Sequence, residues 1–274
     1  MIRVDCAMTF TLLQFGCGNM GGAMLAGWLA AGFDPGAFTV VDPLLVEAPS
    51  GVTLLREAPA VEALADVVLL GFKPQQLGAS APSIAPHVGA GTLVLSILAG
   101  VDLATLRGLF PDAAAIVRVM PNLAAAIGKS PIALCGDAAG ALRERTETLM
   151  APLGPAEWLA DEGEMDLVTA LAGSGPAFVY RFIDALAEAA ATLGLPRTQA
   201  DRLALAMVEG AAALAAASPH ASGELARRVA SPGGVTQVGI DVLDADARLV
   251  TLLTDTLRGA RDRSAEMTRA ARAG

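Results

Sequence analysis

The chain has 274 residues, enough for two domains of ordinary size and for a sizeable buried core. Hydrophobic residues make up 54% with much alanine, which favours helix, and a net charge of −9 without any Lys/Arg run excludes a nonspecific nucleic-acid binder. Cys6, Cys17 and Cys135 are scattered and His87 and His220 stand alone, so no metal-ligand spacing exists and a reducing, cytoplasmic setting is expected.

From the N-terminus, the first eight or so residues read as a loose extension. The stretch from Cys6 to Phe33 carries no charge and is long enough to span a membrane. Its middle, Gly16-Cys17-Gly18-Asn19-Met20-Gly21-Gly22, would interrupt a spanning helix, so a strand–turn–helix unit explains it better and no membrane partner is expected. Apolar runs then follow at Thr11–Phe15, Phe38–Val41, Val52–Leu55, Val67–Phe72, Leu93–Leu98, Ile116–Met120 and Ile132–Leu134. Most are continuous rather than alternating, as in strands buried on both faces. Helices are predicted between them at Met20–Ala31, Ala60–Leu64, Gln75–Ala81, Leu103–Leu109 and Ala141–Leu149. This alternation predicts a parallel, doubly wound α/β sheet.

After about Asp166 the strand signals stop. Helices are predicted over Gly175–Leu193, Thr198–Ala217 with Thr198 as N-cap, Glu224–Ala230, and Val235–Ala271 with interruptions. These helices have little polar face for their apolar content and should bury against each other, across a dimer interface. The expected division is residues 1–163 as a dinucleotide-binding domain and 164–274 as a helical dimerisation and substrate-binding domain.

The pattern Gly16-x-Gly18-x-x-Gly21 is weak evidence alone. Here a strand precedes it, a helix follows it, and an acidic residue ends the next strand. Gly16 permits the tight turn, Gly18 lets a pyrophosphate approach, and Gly21 lets the helix pack on the strand. The helix start, with Asn19 and Met20, supplies free N–H groups to the anion. Asp42 can accept from the adenosine ribose hydroxyls and would repel a 2′-phosphate. The nearest arginine along the chain is Arg56, so NADH is favoured over NADPH. A loop aspartate before Pro43 is the plainer alternative.

Three further motifs end strands: Phe72-Lys73-Pro74-Gln75, Ser96-Ile97-Leu98-Ala99-Gly100 and Arg118-Val119-Met120-Pro121-Asn122. Ligands of open α/β sheets bind beyond the carboxyl strand ends, so these should line one crevice; Lys73 can equally be a solvated loop lysine. In the second half, Ser174 reads most simply as a helix N-cap. The loop Ser231-Pro232-Gly233-Gly234-Val235-Thr236 enters a helix and can offer backbone amides to a carboxylate, with the Thr236 hydroxyl beside it. A helix–helix corner is the alternative.

In this order, the glycine turn with Asn19-Met20, Lys73-Pro74-Gln75, Ser96-Ile97, Val119-Met120-Pro121-Asn122, Gly173-Ser174-Gly175-Pro176, Gly194-Leu195-Pro196-Arg197 and Ser231-Pro232-Gly233-Gly234 resemble the pyrroline-5-carboxylate reductase family from about Thr11 to Arg261. The resemblance implies an N-terminal Rossmann-type sheet, a C-terminal all-helical dimerisation domain, and reduction of pyrroline-5-carboxylate to proline. It implies that Ser231, Gly233, Gly234, Val235 and Thr236 hold the substrate, with the Thr236 hydroxyl on the ring nitrogen. Phe72, Lys73, Pro74, Ala99, Gly100 and Asn122 would lie near NADH or NADPH. It implies a homo-oligomer, a dimer or a decamer built from dimers, with the active site where one subunit's cofactor domain meets the helical domains. The chain departs from the family in lacking polar or basic residues near Asp42, in having Val235 where a first threonine is frequent, and in Ala221.

A protonated cyclic imine is already electrophilic, so positioning rather than a strong acid should carry the chemistry. Thr236 would polarise and orient. Other readings are an imine or β-hydroxyacid reductase of the same layout, or a dinucleotide sensor without turnover. Gly175–Leu193 holds no lysine, against the hydroxyacid enzyme, and a sensor needs no carboxylate clamp.

Overall fold

The computed structural model describes residues 10–61 and 63–273. Eight strands form one sheet: β1 (Leu12–Phe15), β2 (Phe38–Val41), β3 (Thr53–Leu55), β4 (Val67–Leu70), β5 (Leu93–Ser96), β6 (Ala115–Met120), β7 (Ile132–Gly136) and β8 (Ala156–Trp158). Their order is β3-β2-β1-β4-β5-β6-β7-β8, so the winding reverses between β1 and β4. Both faces are covered, as the continuous apolar runs require. Leu12, Val40, Val67, Leu69, Leu93 and Leu95 face one layer with Met24, Leu25 and Trp28 of α1 (Asn19–Ala30). Leu13, Phe15, Val68, Leu70 and Val94 face the other, with Leu77 and Ile84 of α2 (Leu77–Ile84) and Leu106 of α3 (Leu103–Leu109). Each such side chain contributes about 1.5–3 kcal/mol on burial. Trp28 is fully buried and still satisfied, because its Nε1–H donates to Leu149 O at 2.6 Å.

Most expected elements are present within one to three residues of their predicted ends. The departures have physical reasons. The sheet is not wholly parallel: β6 and β7 pair antiparallel, while β7 and β8 are parallel again. The link from β6 to β7 holds only a 3₁₀ turn at Leu123–Ile127, too little for a helical crossover, whereas α4 (Ala141–Met150) carries the chain from β7 to β8. Strand β8 was not expected, since Ala-Glu-Trp makes no apolar run. The predicted helix at Ala60–Leu64 is irregular at residues 60, 61, 63 and 64, and Glu62 lies outside the described residues. So short a stretch cannot repay helix nucleation. The expected loose N-terminal extension, with Cys6, also lies outside the described residues. The uncharged segment around the glycine turn is strand, turn and helix. No helix among the described residues is long and apolar enough to cross a membrane.

Two compact units result. One runs through Gly173 and takes in the chain from Ala260 on; the other is Ser174–Gly259. Before the boundary, the short α5 (Met165–Val168) is followed by a π-helical turn at Thr169–Gly173. The second unit holds α6 (Gly175–Thr192), α7 (Arg197–Ala217), α8 (Ser222–Val229), α9 (Val235–Asp244) and the first half of α10 (Arg248–Ala273). Helices α6 and α7 pack through Ala187, Ala200 and Ala204. Pro196, not Thr198, occupies the N-cap of α7, because the helix starts at Arg197, whose guanidinium pairs with Asp184 and Asp201. Ser174 does hold the N-cap position of α6 but makes no side-chain cap bond, since its φ and ψ are already helical.

Candidate functional site

The glycine turn leaves β1 at the reversal point of the sheet. Gly16 has φ +84°, and a Cβ there would meet the Phe72 amide nitrogen at 2.7 Å. The turn after β1 and the chain leaving β4 therefore touch backbone to backbone, which only glycine permits. A Cβ at Gly21 would strike the Gln14 side chain at 2.7 Å, so its absence sets α1 directly on β1. Gly18 meets nothing within 4 Å and faces open space. It is the N-cap of α1, and no side chain caps that helix. Its first N–H groups thus point at an uncovered surface beside the positive helix end, which fits a dinucleotide pyrophosphate.

Asp42 immediately follows β2, and its carboxylate is heavily used. Oδ2 accepts from the Cys17 N–H at 2.7 Å; Oδ1 accepts from Leu44 N–H at 2.8 Å and Leu45 N–H at 3.1 Å. Partial burial raises its pKa, but those three amide bonds and the Arg56 charge outweigh it, and the carboxyl lies below its ordinary value. Asp42 is thus a brace that ties the glycine turn to the loop after β2. The same surroundings act oppositely on Cys17: burial and the Asp42 charge push its thiol up, against a lowering contribution from Gln14.

The other strand-end residues differ in what they can still do. Lys73 is exposed, and its N–H donates to Gln76 Oε1 at 3.1 Å as the following 3₁₀ turn, Pro74–Gln76, begins. Ala99 is half-buried. Gly100 is buried at φ +78°, and a Cβ there would come within 3.2 Å of the Thr268 amide nitrogen on α10. Its lack of a side chain thus admits the last turns of α10, which Asp166 holds through Ser264 Oγ at 2.7 Å. Asn122 is buried with both ends of its amide engaged. Oδ1 accepts from Ala124 N–H at 2.9 Å, and Nδ2 donates to the Ala172 carbonyl of the π-helical turn at 3.0 Å.

The second glycine loop, Ser231–Thr236, lies in the helical unit. Gly233 turns at φ +71°, and Gly234 N–H donates to Ser231 O at 2.9 Å. Gly234 is the N-cap of α9 without a side-chain cap bond, so the amides at Val235 and Thr236 lack a side-chain acceptor. Both residues are exposed, Val235 at 94%. This is the chemistry a small carboxylate needs, with a hydroxyl one residue into the helix.

Residues 162–267 match the family model described as pyrroline-5-carboxylate reductase dimerisation, and residues 11–100 match that of the F420-dependent NADP oxidoreductases. The pyrroline-5-carboxylate reductase of Pseudomonas aeruginosa is 34% identical over 92% of this chain and 94% of its own. The chain belongs to the pyrroline-5-carboxylate reductase family. Pyrroline-5-carboxylate reductase 2 of Bacillus subtilis is 33% identical over 92% of the chain and 93% of its own. The pyrroline-5-carboxylate reductase structure from Coxiella burnetii superposes with a TM-score of 0.88 at 29% identity, covering 95% of this chain and 99% of that one.

In this pyrroline-5-carboxylate reductase family member one residue escaped the sequence reasoning, and so did the place of another. Gln14 is fully buried in β1, and its Nε2 donates to Gly16 O at 3.0 Å, holding the turn from below. A polar residue inside an otherwise apolar strand was the available signal. Arg56 reaches the carbonyls of Asp42, Leu45 and Val46. Along the chain it is only the nearest arginine, fourteen positions from Asp42, and nothing there shows that the crossover to β3 brings the two together.

Proposed function

We propose that this chain reduces pyrroline-5-carboxylate to proline with a hydride from a nicotinamide dinucleotide, NADH in preference to NADPH. One observation carries the reading. A chain that matches the family over nine-tenths of its length presents two uncapped helix starts, one braced beneath the sheet edge at Gly16–Gly21 and one bearing Thr236. In this reading residues 1–163 bind the dinucleotide and 164–274 form the helical part that dimerises and holds substrate, although the chain before Ser174 and from Ala260 on packs with the sheet unit.

The reduced nicotinamide supplies the hydride. The chain's own residues do the rest. Gly16, Gly18, Asn19, Met20 and Gly21 receive the pyrophosphate on backbone amides, and Asp42 offers its remaining lone pair to a ribose hydroxyl. Phe72, Lys73, Pro74, Ala99, Gly100 and Asn122 shape the nicotinamide end, the last two by backbone position, since the Asn122 amide is engaged and Gly100 has no side chain. Ser231, Gly233, Gly234 and Val235 grip the substrate carboxylate. The Thr236 hydroxyl hydrogen-bonds the ring nitrogen as it becomes an amine. An alcohol is a poor acid near neutral pH, so Thr236 orients and polarises more than it donates. Holding the reactants in line can remove roughly 7–11 kcal/mol of barrier.

The NADH preference is supported by the Asp42 carboxylate, which disfavours a second negative group beside it. A homodimer is supported by the family model named for dimerisation and by the exposed apolar side chains of the helical unit, with a decamer built from five such dimers as the larger form. A reducing cytoplasm is supported by Cys17 and Cys135, both free thiols. The test is loss of reduced-nicotinamide absorbance with and without pyrroline-5-carboxylate, with proline measured as product. No imine-dependent oxidation with either dinucleotide refutes the reading.

A further inference from the structure

We propose that Arg56 determines cofactor specificity: its guanidinium is the counter-charge for a 2′-phosphate and lets this chain use NADPH alongside the preferred NADH. The inference rests on the reading that a dinucleotide lies over the Gly16–Gly21 turn. Along the chain Arg56 is remote from Asp42. In the sheet it is not, because β2 and β3 are parallel with Val41 opposite Leu55, and Asp42 N–H donates to Leu55 O at 3.0 Å. The next residue on each strand is Asp42 and Arg56, side by side at the carboxyl edge where adenosine ribose is read.

The bonds already made there set what each side chain has left. Oδ1 of Asp42 takes two amides, which fills its two lone pairs; Oδ2 takes one and keeps one. Asp42 can therefore accept from one ribose hydroxyl but cannot clamp both hydroxyls with separate oxygens. Three N–H dipoles and a neighbouring cation offset its charge, which lowers the repulsion a 2′-phosphate would meet.

Arg56 has five N–H donors. Nη1 donates to Asp42 O at 3.2 Å and to Leu45 O, and Nη2 donates to Val46 O at 3.3 Å. This leaves Nε–H and the second Nη2–H without a partner among the described residues. An Nε–H and an Nη2–H on one edge of a guanidinium can make the parallel fork that matches two phosphate oxygens. The side chain is exposed, so the fork is reachable from solvent. The carbonyl bonds hold the arginine in place before any ligand arrives.

The test compares dissociation constants of NADH and NADPH, read by nicotinamide fluorescence, in the wild type, Arg56→Gln and Arg56→Lys. Losing a charge-assisted pair should weaken NADPH about ten- to a hundredfold in Arg56→Gln while NADH changes less than about threefold. Arg56→Lys, a point charge without the fork, should fall between. Displacement by 2′,5′-ADP should weaken in parallel with NADPH, and displacement by 5′-AMP should not. Added salt should weaken NADPH more than NADH in the wild type, and this difference should shrink in Arg56→Gln. Equal loss with both dinucleotides would make Arg56 a mere loop prop and overturn the proposal, as would no change with either. If both dinucleotides bind with these patterns but the imine is not reduced, the specificity role stands and the proposed reaction falls. If neither binds the wild type, both fall.

Discussion

The sheet unit and the helical unit place their apolar side chains differently. In the sheet unit, Trp28, Phe38, Leu69, Leu95 and Phe110 are essentially inaccessible. In the helical unit the buried cluster is three alanines, while Phe182, Leu205 and Val238 remain 49%, 57% and 61% exposed. A layer of helices on both faces of a sheet closes a core within one chain. Helices with apolar side chains all round close one only against more helices. The two glycine loops follow the same contrast. The Gly16–Gly21 turn is held from below by Gln14 and from the side by Asp42. The Ser231–Thr236 loop has a local Ser231–Gly234 bond and is largely exposed. Both present helix starts without a side-chain cap, one braced by buried and half-buried side chains and one exposed.

The contrast can be broken at each end. The largest effect is expected from Gly16→Val, which forces a branched side chain into positive φ and onto the Phe72 backbone. Binding of NADH and NADPH should be abolished in fluorescence titration; retained affinity would show that the turn is not a close-approach site. Next, Leu205→Glu places a charge on the exposed apolar face of α7. Light scattering should show monomer where the wild type is dimer or larger, and an unchanged mass would place the dimer contact elsewhere. Thr236→Ala removes one hydroxyl from the proposed substrate loop. Turnover should drop about 10–100-fold, the loss of one hydrogen bond that orients the reacting nitrogen, with the NADH dissociation constant unmoved. Unchanged turnover in a folded variant removes Thr236 from the chemistry.

The smallest effect concerns Asp42→Asn. The folded pKa of Asp42 is lowered, so its carboxylate contributes stability above the unfolded value of about 3.9 and loses it as pH falls through the folded value. The melting-temperature gap between wild type and Asp42→Asn should be full at neutral pH and close in acid. A gap that widens in acid would contradict the brace. With less negative charge at the ribose, the same variant should also shift binding toward NADPH; equal loss with both dinucleotides would make Asp42 structural alone.

By itself the sequence determined most element types and the places of the two glycine loops, because buried strands need unbroken apolar runs and glycine or proline marks the turns between them. It also carried the family, since the motifs stand in the family's order. What it left open depends on long-range pairing. The reversed direction of β7 and β8 follows from the short link across Leu123–Ile127. The engagement of Asn122 depends on a turn 50 residues away. The approach of α10 to Gly100 joins residues that share no local pattern. The reading of Asp42 shows the limit most clearly. Its type and place at a strand end were legible, but its three amide partners and the arginine beside it were not. Parallel strands align residues through a crossover whose length sequence periodicity does not encode, and only the folded sheet puts Arg56 next to Asp42.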